Sequence, residues 1–303
     1  MRLDVIVTQR FGLSRRRAQA AIREGRVDLA GHPCLDPARD LPATSPVTYD
    51  PHRPRRTKRL SHLEVLYEDA HILIVNKPAH TLTQPTPLRE PDTLLERAGR
   101  YLRRKWGRKR PYVGIVHRLD RETSGALLLV TAARALRPFQ ELFRTHAIER
   151  VYLAVAEGFP TAARGTIELP LIANRGDGRR GVARGSAHGV HAVTHYEVME
   201  SFGRHASLLA CRLGTGRTHQ IRIHLAAIGH PVVEDHVYGS RAKRPGGFPR
   251  LGRQALHAQT LGFIHPTHGA AVRVEAPLPA DLARFLNALR ERFQRQRPRE
   301  DLR

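Results

Sequence analysis

Residues 51–60 (PHRPRRTKRL) form a proline- and arginine-rich stretch that constrains the fold of the whole chain. The stretch has no apolar periodicity and cannot pack into a core, so we interpret it as a linker between two domains. The length of 303 residues agrees with this, because single cores rarely exceed about 250–300 residues. The predicted organisation is a small domain over 1–50, a basic linker over 51–62, a larger domain over 63–293 and a basic tail over 294–303.

The charge of the chain restricts its partners. The 51 Lys and Arg residues exceed the 28 Asp and Glu residues, and the net charge of +23 favours a polyanion such as nucleic acid. With 41% hydrophobic residues, the chain can still bury a core. Its two distant cysteines exclude a zinc finger or a disulfide scaffold and are typical of a reducing compartment. No apolar run approaches the ~18 residues of a membrane span, and the first residues lack a signal-peptide core. We therefore expect a soluble, cytoplasmic protein with no membrane association.

The first fifty residues predict a small α/β unit. Ser14 is a good N-cap for a helix, Gly25 suits the end of that helix, and residues 27–29 alternate like a short strand. Arginines crowd the start of the helix, where the helix dipole disfavours them unless an anion binds. They form either a solvated face or a phosphate-binding group, and we favour phosphate binding by Arg15, Arg16, Arg17, Arg23 and Arg26.

Short motifs in the same region follow a known pattern. They are Arg2-Leu3-Asp4, Ser14-Arg15, Ala18 and the run IREGRV at 22–27. Over residues 1 to about 50 the chain resembles the S-four RNA-binding domain, which is named after a small-subunit ribosomal protein. The resemblance implies that the polyanion is RNA.

The region after the linker predicts an α+β domain. Strand patterns at 65–67 and 72–75 flank Glu68-Asp69, which indicates a hairpin. Further strands are predicted at 113–116, 126–130, 151–156, 208–213, 255–261 and 271–274, and helices at 133–146, 218–228 and 281–292. Many strands with few helices between them favour a mixed sheet over a βαβ array. The basic run 97–110 is either a solvated helix face or a phosphate-binding surface.

Two other kinds of site have little support. Residues 176–181 match G-x-G-x-x-G but follow no predicted strand and open no helix, and no P-loop motif occurs. His219 and His224 lie five residues apart, on different helical faces, and no HExxH motif occurs. His265-Pro266-Thr267-His268 indicates a turn between strands. We therefore predict no dinucleotide and no catalytic metal.

The segment 114–125 (GIVHRLDRETSG) concentrates the chemistry. A predicted strand ends at Val116, and Asp120 follows in a polar loop between Arg118 and Arg121, which favour a charged carboxylate. Asp120 is either a salt-bridged loop residue or an anionic nucleophile that attacks an electrophilic carbon.

Two other segments bear on this choice. Residues 150–154 (RVYLA) predict a strand that carries Tyr152. Residues 214–225 (GTGRTHQIRIHL) predict a tight turn and then a helix capped by Thr218. Arg222 lies about 100° round from Ile221, at the border of the apolar face of this helix. An arginine there requires an acidic partner, because an unpaired buried charge is costly.

Together the three segments resemble the RluA-type family of pseudouridine synthases, from about Val65 to Pro279. The matching blocks are HRLD at 117–120 with TSG at 123–125, TGRTHQIR at 215–222 with GHP at 229–231, LYED at 66–69 with NKP at 76–78, and LHA at 256–258 with HP at 265–266. The family implies a mainly antiparallel, mixed-sheet catalytic domain. It also implies a uridine flipped out of the RNA and isomerised without a cofactor or metal.

The resemblance assigns roles to particular residues. Asp120 would be the nucleophile, Arg222 its ion-pair partner and Tyr152 the aromatic residue against the base, while Arg118 would fill the gap left by the flipped uridine. Attack at the sugar and attack at the uracil ring both stay open, and Tyr152 is a candidate for the later proton transfer from C5. The remaining residues expected to bind RNA or the base are His117, Gly216, Arg217, Thr218, His219, Gln220, Asn76 and Lys77.

Some positions depart from the family pattern. Arg150 replaces a usual lysine, His80 replaces the glycine of Ala-Gly, Glu234 replaces the glycine of Gly-Asp, and Gln84 replaces the histidine of His-Pro. These changes affect substrate placement more than the three catalytic candidates. We expect a monomeric enzyme acting on large-subunit ribosomal RNA, since the S-four domain is common among such family members. Transfer RNA is the second choice, and a non-catalytic ribosome-assembly factor on the same scaffold is the competing hypothesis.

Overall fold

The computed structural model describes residues 1–53, 63–86, 90, 92–107, 109–183, 188–240 and 245–293, with the backbone of 295–296. The chain divides into two compact units, Met1–His62 and Leu63–Arg303. Most of the predicted linker and tail lies outside the described residues. Arg53, inside the predicted linker, donates two hydrogen bonds of 2.6 Å to Asp28 and so packs on the first unit. Among the described residues, no helix is long and apolar enough to cross a membrane.

The first unit is the small α/β fold that the sequence predicts. Helices α1 (Leu3–Phe11) and α2 (Arg15–Arg23) precede strands β1 (Val27–Leu29), β2 (His32–Pro33) and β3 (Val47–Tyr49), which form a sheet in the order β2-β1-β3. The predicted cap is confirmed, because the Ser14 side chain accepts a hydrogen bond from the Arg17 backbone. Gly25 has φ +72°, the left-handed conformation expected after a helix. Leu3, Ile6 and Val7 of α1 pack into the core of this unit, although α1 was not predicted.

The second unit is built on an eleven-stranded sheet. Its elements, in chain order, are β4 (Glu64–Glu68), β5 (Ile72–Lys77), α3 (Leu94–Trp106), β6 (Gly114–Ile115), β7 (Ser124–Val130), a 3₁₀ helix (Ala133–Ala135), α4 (Leu136–Arg144), β8 (Ile148–Glu157), β9 (Arg164–Glu168), β10 (Leu171–Ile172), β11 (Gly181–Val182), β12 (Val193–Phe202), β13 (Ala206–Leu213), α5 (Gln220–Ala227), β14 (Leu256–Ile264), β15 (Ala271–Glu275), α6 (Ala280–Phe293) and β16 (Arg295–Gln296). The main path of the sheet is β16-β12-β13-β8-β14-β7-β5-β4, and β10 and β11 form a separate pair.

The pairing confirms the predicted mixed, mainly antiparallel sheet. Strand β14 pairs parallel with β7 and antiparallel with β8 and β15. The predicted hairpin at Glu68-Asp69 joins β4 to β5. The helix predicted at 133–146 is wrong in one respect, since its first turn is the 3₁₀ helix and α4 begins only at Leu136.

The parallel contact between β7 and β14 requires a glycine. Gly125 has φ +116°, and a Cβ there would lie 2.1 Å from the carbonyl oxygen of Ala258 on β14. Only glycine combines this conformation with so close an approach of two backbones. Since β7 begins immediately after the Asp120 loop, the contact fixes the loop against the centre of the sheet.

Candidate active site

Asp120 lies in the loop between β6 and β7, and the backbone on both sides of it is anchored. The Thr83 hydroxyl donates to the Leu119 carbonyl at 3.0 Å and lies 3.3 Å from the Leu119 amide nitrogen. The Lys77 ammonium donates to the Arg121 carbonyl at 3.2 Å. The Asp120 carbonyl itself accepts from the Thr123 amide at 3.2 Å. These bonds hold the loop in one conformation and leave the carboxylate free to face the pocket.

Arg222 on α5 meets the Asp120 carboxylate. Its Nη1 donates to Oδ2 of Asp120 at 2.8 Å, as the predicted ion pair requires. Oδ1 of Asp120 accepts no hydrogen bond from the described residues and lies 3.6 Å from Nε2 of His219. One carboxylate oxygen is therefore oriented by a guanidinium, and the other is left available to react.

Arg222 has a second acidic partner that the sequence analysis missed. Its Nε and Nη2 donate to Asp235 at 2.6 and 2.9 Å, and Asp235 also accepts from the backbone amides of Val237 and Tyr238. Burial alone would lower the pKa of Arg222, but the hydrogen bonds and charges of Asp235 and Asp120 raise it. Burial raises the pKa of Asp235, and the Arg222 guanidinium lowers it below its usual range. The requirement that a buried arginine be paired could have pointed to this nearby acid.

The start of α5 differs from the prediction. Thr218 does not cap the helix, because His219 occupies the N-cap position with φ 61° and makes no side-chain cap hydrogen bond. Gln220 stabilises the turn instead, since its Oε1 accepts from the Arg217 amide at 3.0 Å and from the Thr215 hydroxyl at 2.7 Å. A glutamine side chain that folds back on the preceding turn is a tertiary feature with no sequence signal of its own.

Tyr152 on β8 borders the same pocket as Asp120. Burial raises the pKa of Tyr152 to about 12, although the nearby Arg150 charge opposes the rise. The phenol therefore stays protonated at neutral pH. It can stack on a base or donate a hydrogen bond, and it is a poor free base for proton removal.

The pocket between the Asp120 loop and α5 has a volume of about 480 Å³. This lies within the range of roughly 300–1,000 Å³ typical of ligand sites. The predicted residues that line it are Asp120, Tyr152, Arg222, His117, Arg118, Gly216, Arg217, Thr218, His219 and Gln220. The fold thus brings together residues separated by about a hundred positions in the chain.

Two of the histidines that line the pocket, His117 and His219, have different surroundings. His117 stacks on Phe143 with ring centroids 4.4 Å apart, and its Nε2 accepts from the Leu128 amide at 2.9 Å. Burial, with the charge of Arg150, lowers the pKa of His117 to about 3, so its ring is neutral. Nδ1 of His219 lies 2.9 Å from the Tyr238 hydroxyl oxygen. Burial lowers the pKa of His219, although the charge of Asp120 opposes this.

Asn76 and Lys77 lie apart from the pocket surface. Asn76 donates to Glu64 at 3.0 Å. The Lys77 side chain is 0% exposed and donates to the carbonyls of Pro78, Thr81 and Arg121. Burial lowers the pKa of Lys77 to about 7, although the charge of Asp120 opposes this. The structure therefore places Lys77 underneath the Asp120 loop, where it supports the backbone and has no exposed surface for RNA.

The basic groups predicted to bind phosphate are partly paired. Arg15 on α2 lies 3.3 Å from the buried carboxylate of Asp4, whereas Arg16, Arg17 and Arg23 are exposed and have no acidic partner among the described residues. Arg26 pairs with Glu24 at 3.3 Å. In the basic run, Arg97 and Arg100 pair with Asp92, and Lys105 pairs with Glu68. Arg103 and Arg104 of α3 stay exposed.

One group of side chains has the composition of a metal site. Atoms of Asp69, His71 and His265 lie within 4.8 Å of one another at the hairpin turn, and His268 stacks on His265. Nδ1 of His265 and Nδ1 of His268 accept from backbone amides, at 3.2 and 3.4 Å. In the neutral rings the hydrogen then resides on Nε2, which faces Asp69 in both cases. Nε2 of His265 makes no hydrogen bond among the described residues and lies 3.3 Å from Asp69.

Comparison with known proteins agrees with this geometry. Residues 71–227 match the family model of RNA pseudouridylate synthase, and residues 1–44 match the S4 domain, which is the S-four domain named above. A ribosomal large subunit pseudouridine synthase D from Xanthomonas campestris pv. campestris is 39% identical over 76% of this chain and 70% of its own length. An uncharacterized RNA pseudouridine synthase from Mycobacterium bovis is 36% identical over 96% of this chain and 94% of its own.

A solved structure supports the fold. That of human RNA pseudouridylate synthase domain containing 4 has a TM-score of 0.65 at 24% identity, over 78% of this chain and 94% of that chain. The resemblance found in the sequence is confirmed for both regions. The chain belongs to the RNA pseudouridylate synthase family, whose members are isomerases acting on RNA, and it carries an S4 domain in its first unit.

Proposed function

We propose that this protein isomerises uridine to pseudouridine in large-subunit ribosomal RNA, with Asp120 as the nucleophile. The observation that carries the proposal is the 2.8 Å bond from Arg222 to one oxygen of Asp120, in a pocket of about 480 Å³. The relative from Xanthomonas is named for the large ribosomal subunit, and the S4 domain is a module for binding RNA. Transfer RNA is the alternative substrate.

Different residues of the pocket have different roles in the proposed reaction. Arg118, exposed beside Asp120, fills the stack that the flipped uridine vacates, and Tyr152 packs against the uracil. Asp120 attacks the nucleoside as the bond from C1′ to N1 breaks. The uracil rotates, C5 bonds to C1′, and the bond to Asp120 breaks, which regenerates the carboxylate. Water takes the proton from C5, and N1 gains a proton from water. The atoms of substrate and product are the same, so the residues need no group donor. Because Tyr152 is protonated at neutral pH, it does not remove the C5 proton itself, and its hydroxyl donates a hydrogen bond to the base or to the water that does.

The remaining expectations follow from this proposal. The arginines at the start of α2 and on α3 bind phosphates of the RNA and do not recognise its base sequence. We expect the protein to act as a monomer. The proposed substrate places the reaction in the cytoplasm.

A complementation experiment tests the proposal. Pseudouridines are mapped in ribosomal and transfer RNA from a deletion strain that expresses the wild-type protein, Asp120→Asn or a control, Glu275→Gln, whose carboxylate pairs with Arg273 at the surface. We expect one or a few large-subunit sites to be restored by the wild-type protein and the control but not by Asp120→Asn. Restored sites in transfer RNA alone would replace the proposed substrate. If the deletion strain has the same pseudouridine map as the wild-type strain but a defect in ribosome assembly, the non-catalytic alternative would be supported.

A further inference from the structure

Arg150 is a buried cation for which the protein supplies no counter-charge. It lies on β8, its residue is 6% exposed, and it forms no ion pair with any described acid. Its Nε is buried and has no hydrogen-bond partner among the described residues. An isolated buried charge is destabilising, and an anionic ligand would supply the missing compensation.

The neighbours of Arg150 are neutral. Its Nη2 lies 3.5 Å from Nδ1 of His146, and its Cζ lies 5.9 Å from the centroid of the Phe143 ring. Burial lowers the pKa of His146, and the charge of Arg150 adds to this. The histidine therefore offers the guanidinium no counter-charge.

Gly216 makes room for this guanidinium. A Cβ on Gly216 would lie 2.4 Å from Nη1 of Arg150, whereas the φ of Gly216 is not in the positive range. The glycine is thus not needed for its backbone conformation but for the space that it leaves. A side chain at this position would require Nη1 of Arg150 to shift, so the observed position of the guanidinium depends on the glycine.

The place of Arg150 in the pocket indicates its ligand. Arg150 and Tyr152 are two residues apart on one strand, so their side chains emerge on the same face, about 7 Å apart. Both line the pocket that contains Asp120. If Tyr152 packs against the uracil, Arg150 lies within one nucleotide of it.

We propose that Arg150 binds an anionic oxygen of the flipped nucleotide, supplied either by the phosphate beside the target uridine or by the uracil ring as it gains charge. This inference rests on the proposed function. The planar guanidinium offers its Nη hydrogens to such an oxygen in a fixed geometry. RNA binding then provides the counter-charge that the free protein lacks.

The test compares Arg150→Met and Arg150→Lys with a control, Arg273→Met, whose arginine is paired and exposed outside the pocket. The probe is unmodified large-subunit ribosomal RNA made by transcription. Without RNA, Arg150→Met should be at least as stable as the wild type, because it removes an unpaired buried charge. If the ligand is the phosphate, the Kd of Arg150→Met for RNA should be roughly tenfold or more above that of the wild type. If the ligand is the ring, Kd is unchanged and single-turnover rate falls by a similar factor or more.

Arg150→Lys keeps the positive charge but changes the shape of the side chain. If the charge is what matters, this variant should recover part of the RNA affinity or of the single-turnover rate that Arg150→Met loses. The inference would be overturned if the wild type is active and Arg150→Met keeps both its RNA affinity and its turnover. A methionine variant that is less stable and that lysine does not rescue would also overturn it and indicate a packing role. A wild-type protein that forms no pseudouridine in this RNA would instead refute the proposed substrate, so the two failures are distinct.

Discussion

Arg222 donates two hydrogen bonds to Asp235, from Nε at 2.6 Å and from Nη2 at 2.9 Å. This bidentate contact fixes the plane of the guanidinium and leaves Nη1 to meet Asp120. The position of the proposed nucleophile therefore depends on an acid that does not touch it.

Asp235→Asn tests this dependence. An amide cannot accept both bonds, so Arg222 loses its fixed plane and its nearest counter-charge. We expect turnover to fall at least tenfold and the free energy of unfolding to fall by roughly 3 kcal/mol. Single-turnover kinetics and urea unfolding measure the two effects. Glu197→Gln, which weakens the exposed pair with Arg164, should show neither effect, and normal turnover in Asp235→Asn would refute the positioning role.

Lys77 should make stability depend on pH. Its pKa is about 7 in the folded chain against 10.5 for the ordinary side chain, so between these values the unfolded chain holds a proton that the folded chain lacks. The free energy of unfolding should therefore rise with pH above about 7, by up to about 1.4 kcal/mol per unit, and level off near the ordinary pKa. Urea unfolding from pH 6 to 10 should show this rise relative to Lys77→Met. Parallel curves for the two proteins would contradict a lowered pKa.

His80 occupies a position where the family has glycine. Its φ is 60°, in the left-handed region that costs a residue with a Cβ about 1–2 kcal/mol. Its side chain is exposed, so His80→Gly should raise the free energy of unfolding by up to about 1 kcal/mol after the entropy of glycine is subtracted. His80→Ala is the matched control, because it removes the imidazole but keeps the Cβ. An equal gain in both variants would assign the effect to the imidazole.

Asp4 is the acid on which the first unit depends. Its side chain is fully buried and accepts hydrogen bonds from Arg2, Arg15 and Gln19, and it is held at a pKa of about 2 because these partners outweigh the effect of burial. Asp4→Asn should destabilise the first unit by about 1–3 kcal/mol, since both arginines are partly exposed and their contribution is screened. Hydrogen exchange should accelerate within 3–49 and not within 63–293. Asp40→Asn, at an exposed acid of the same unit, should leave exchange unchanged.

The exposed arginines of α2 should set the salt dependence of RNA binding. Each phosphate contact releases counterions, so replacing Arg16 and Arg17 by alanine should reduce the slope of log K against log salt by roughly 1.4–1.8. Titration of unmodified ribosomal RNA at several salt concentrations measures this slope. Arg164→Ala, which removes an exposed arginine paired with Glu197, is the control. An unchanged slope in the double variant would show that α2 does not contact phosphate.

Local patterns predicted most of the strands and the Asp120 loop, and tertiary forces account for what was missed. The sequence of α1 (LDVIVTQRF) is rich in β-branched residues, which favour strands, and it becomes a helix because Leu3, Ile6 and Val7 fit one helical face of the core. Strand β12 was missed although it pairs with β13 and β9, because such long-range pairing leaves little trace in its own composition.

Site residues that belong to a sequence motif could be predicted. Residues whose role depends on a contact with a distant partner could not. Asp120, Tyr152 and Arg222 lie in motifs, and the structure brings all three to one pocket. Lys77 also lies in a motif, but its burial beneath the loop follows from the packing of β5. Asp235 adjoins a departure from the family pattern, and only the folded chain shows that its backbone turn directs both carboxylate oxygens to Arg222.

The hydrogen bonds on either side of Asp120 have an evolutionary consequence. Thr83 and Lys77 hold the main chain at Leu119 and Arg121 from below, and none of these bonds uses a side chain on the rim of the pocket. The main chain of the proposed nucleophile is therefore held by the interior of the sheet, whereas Arg118, Arg217 and Thr218 are exposed where they line the pocket. We therefore expect substitutions at these exposed positions to alter which RNA is accepted while the main chain at Asp120 stays anchored, so that specificity can diverge between relatives on one framework.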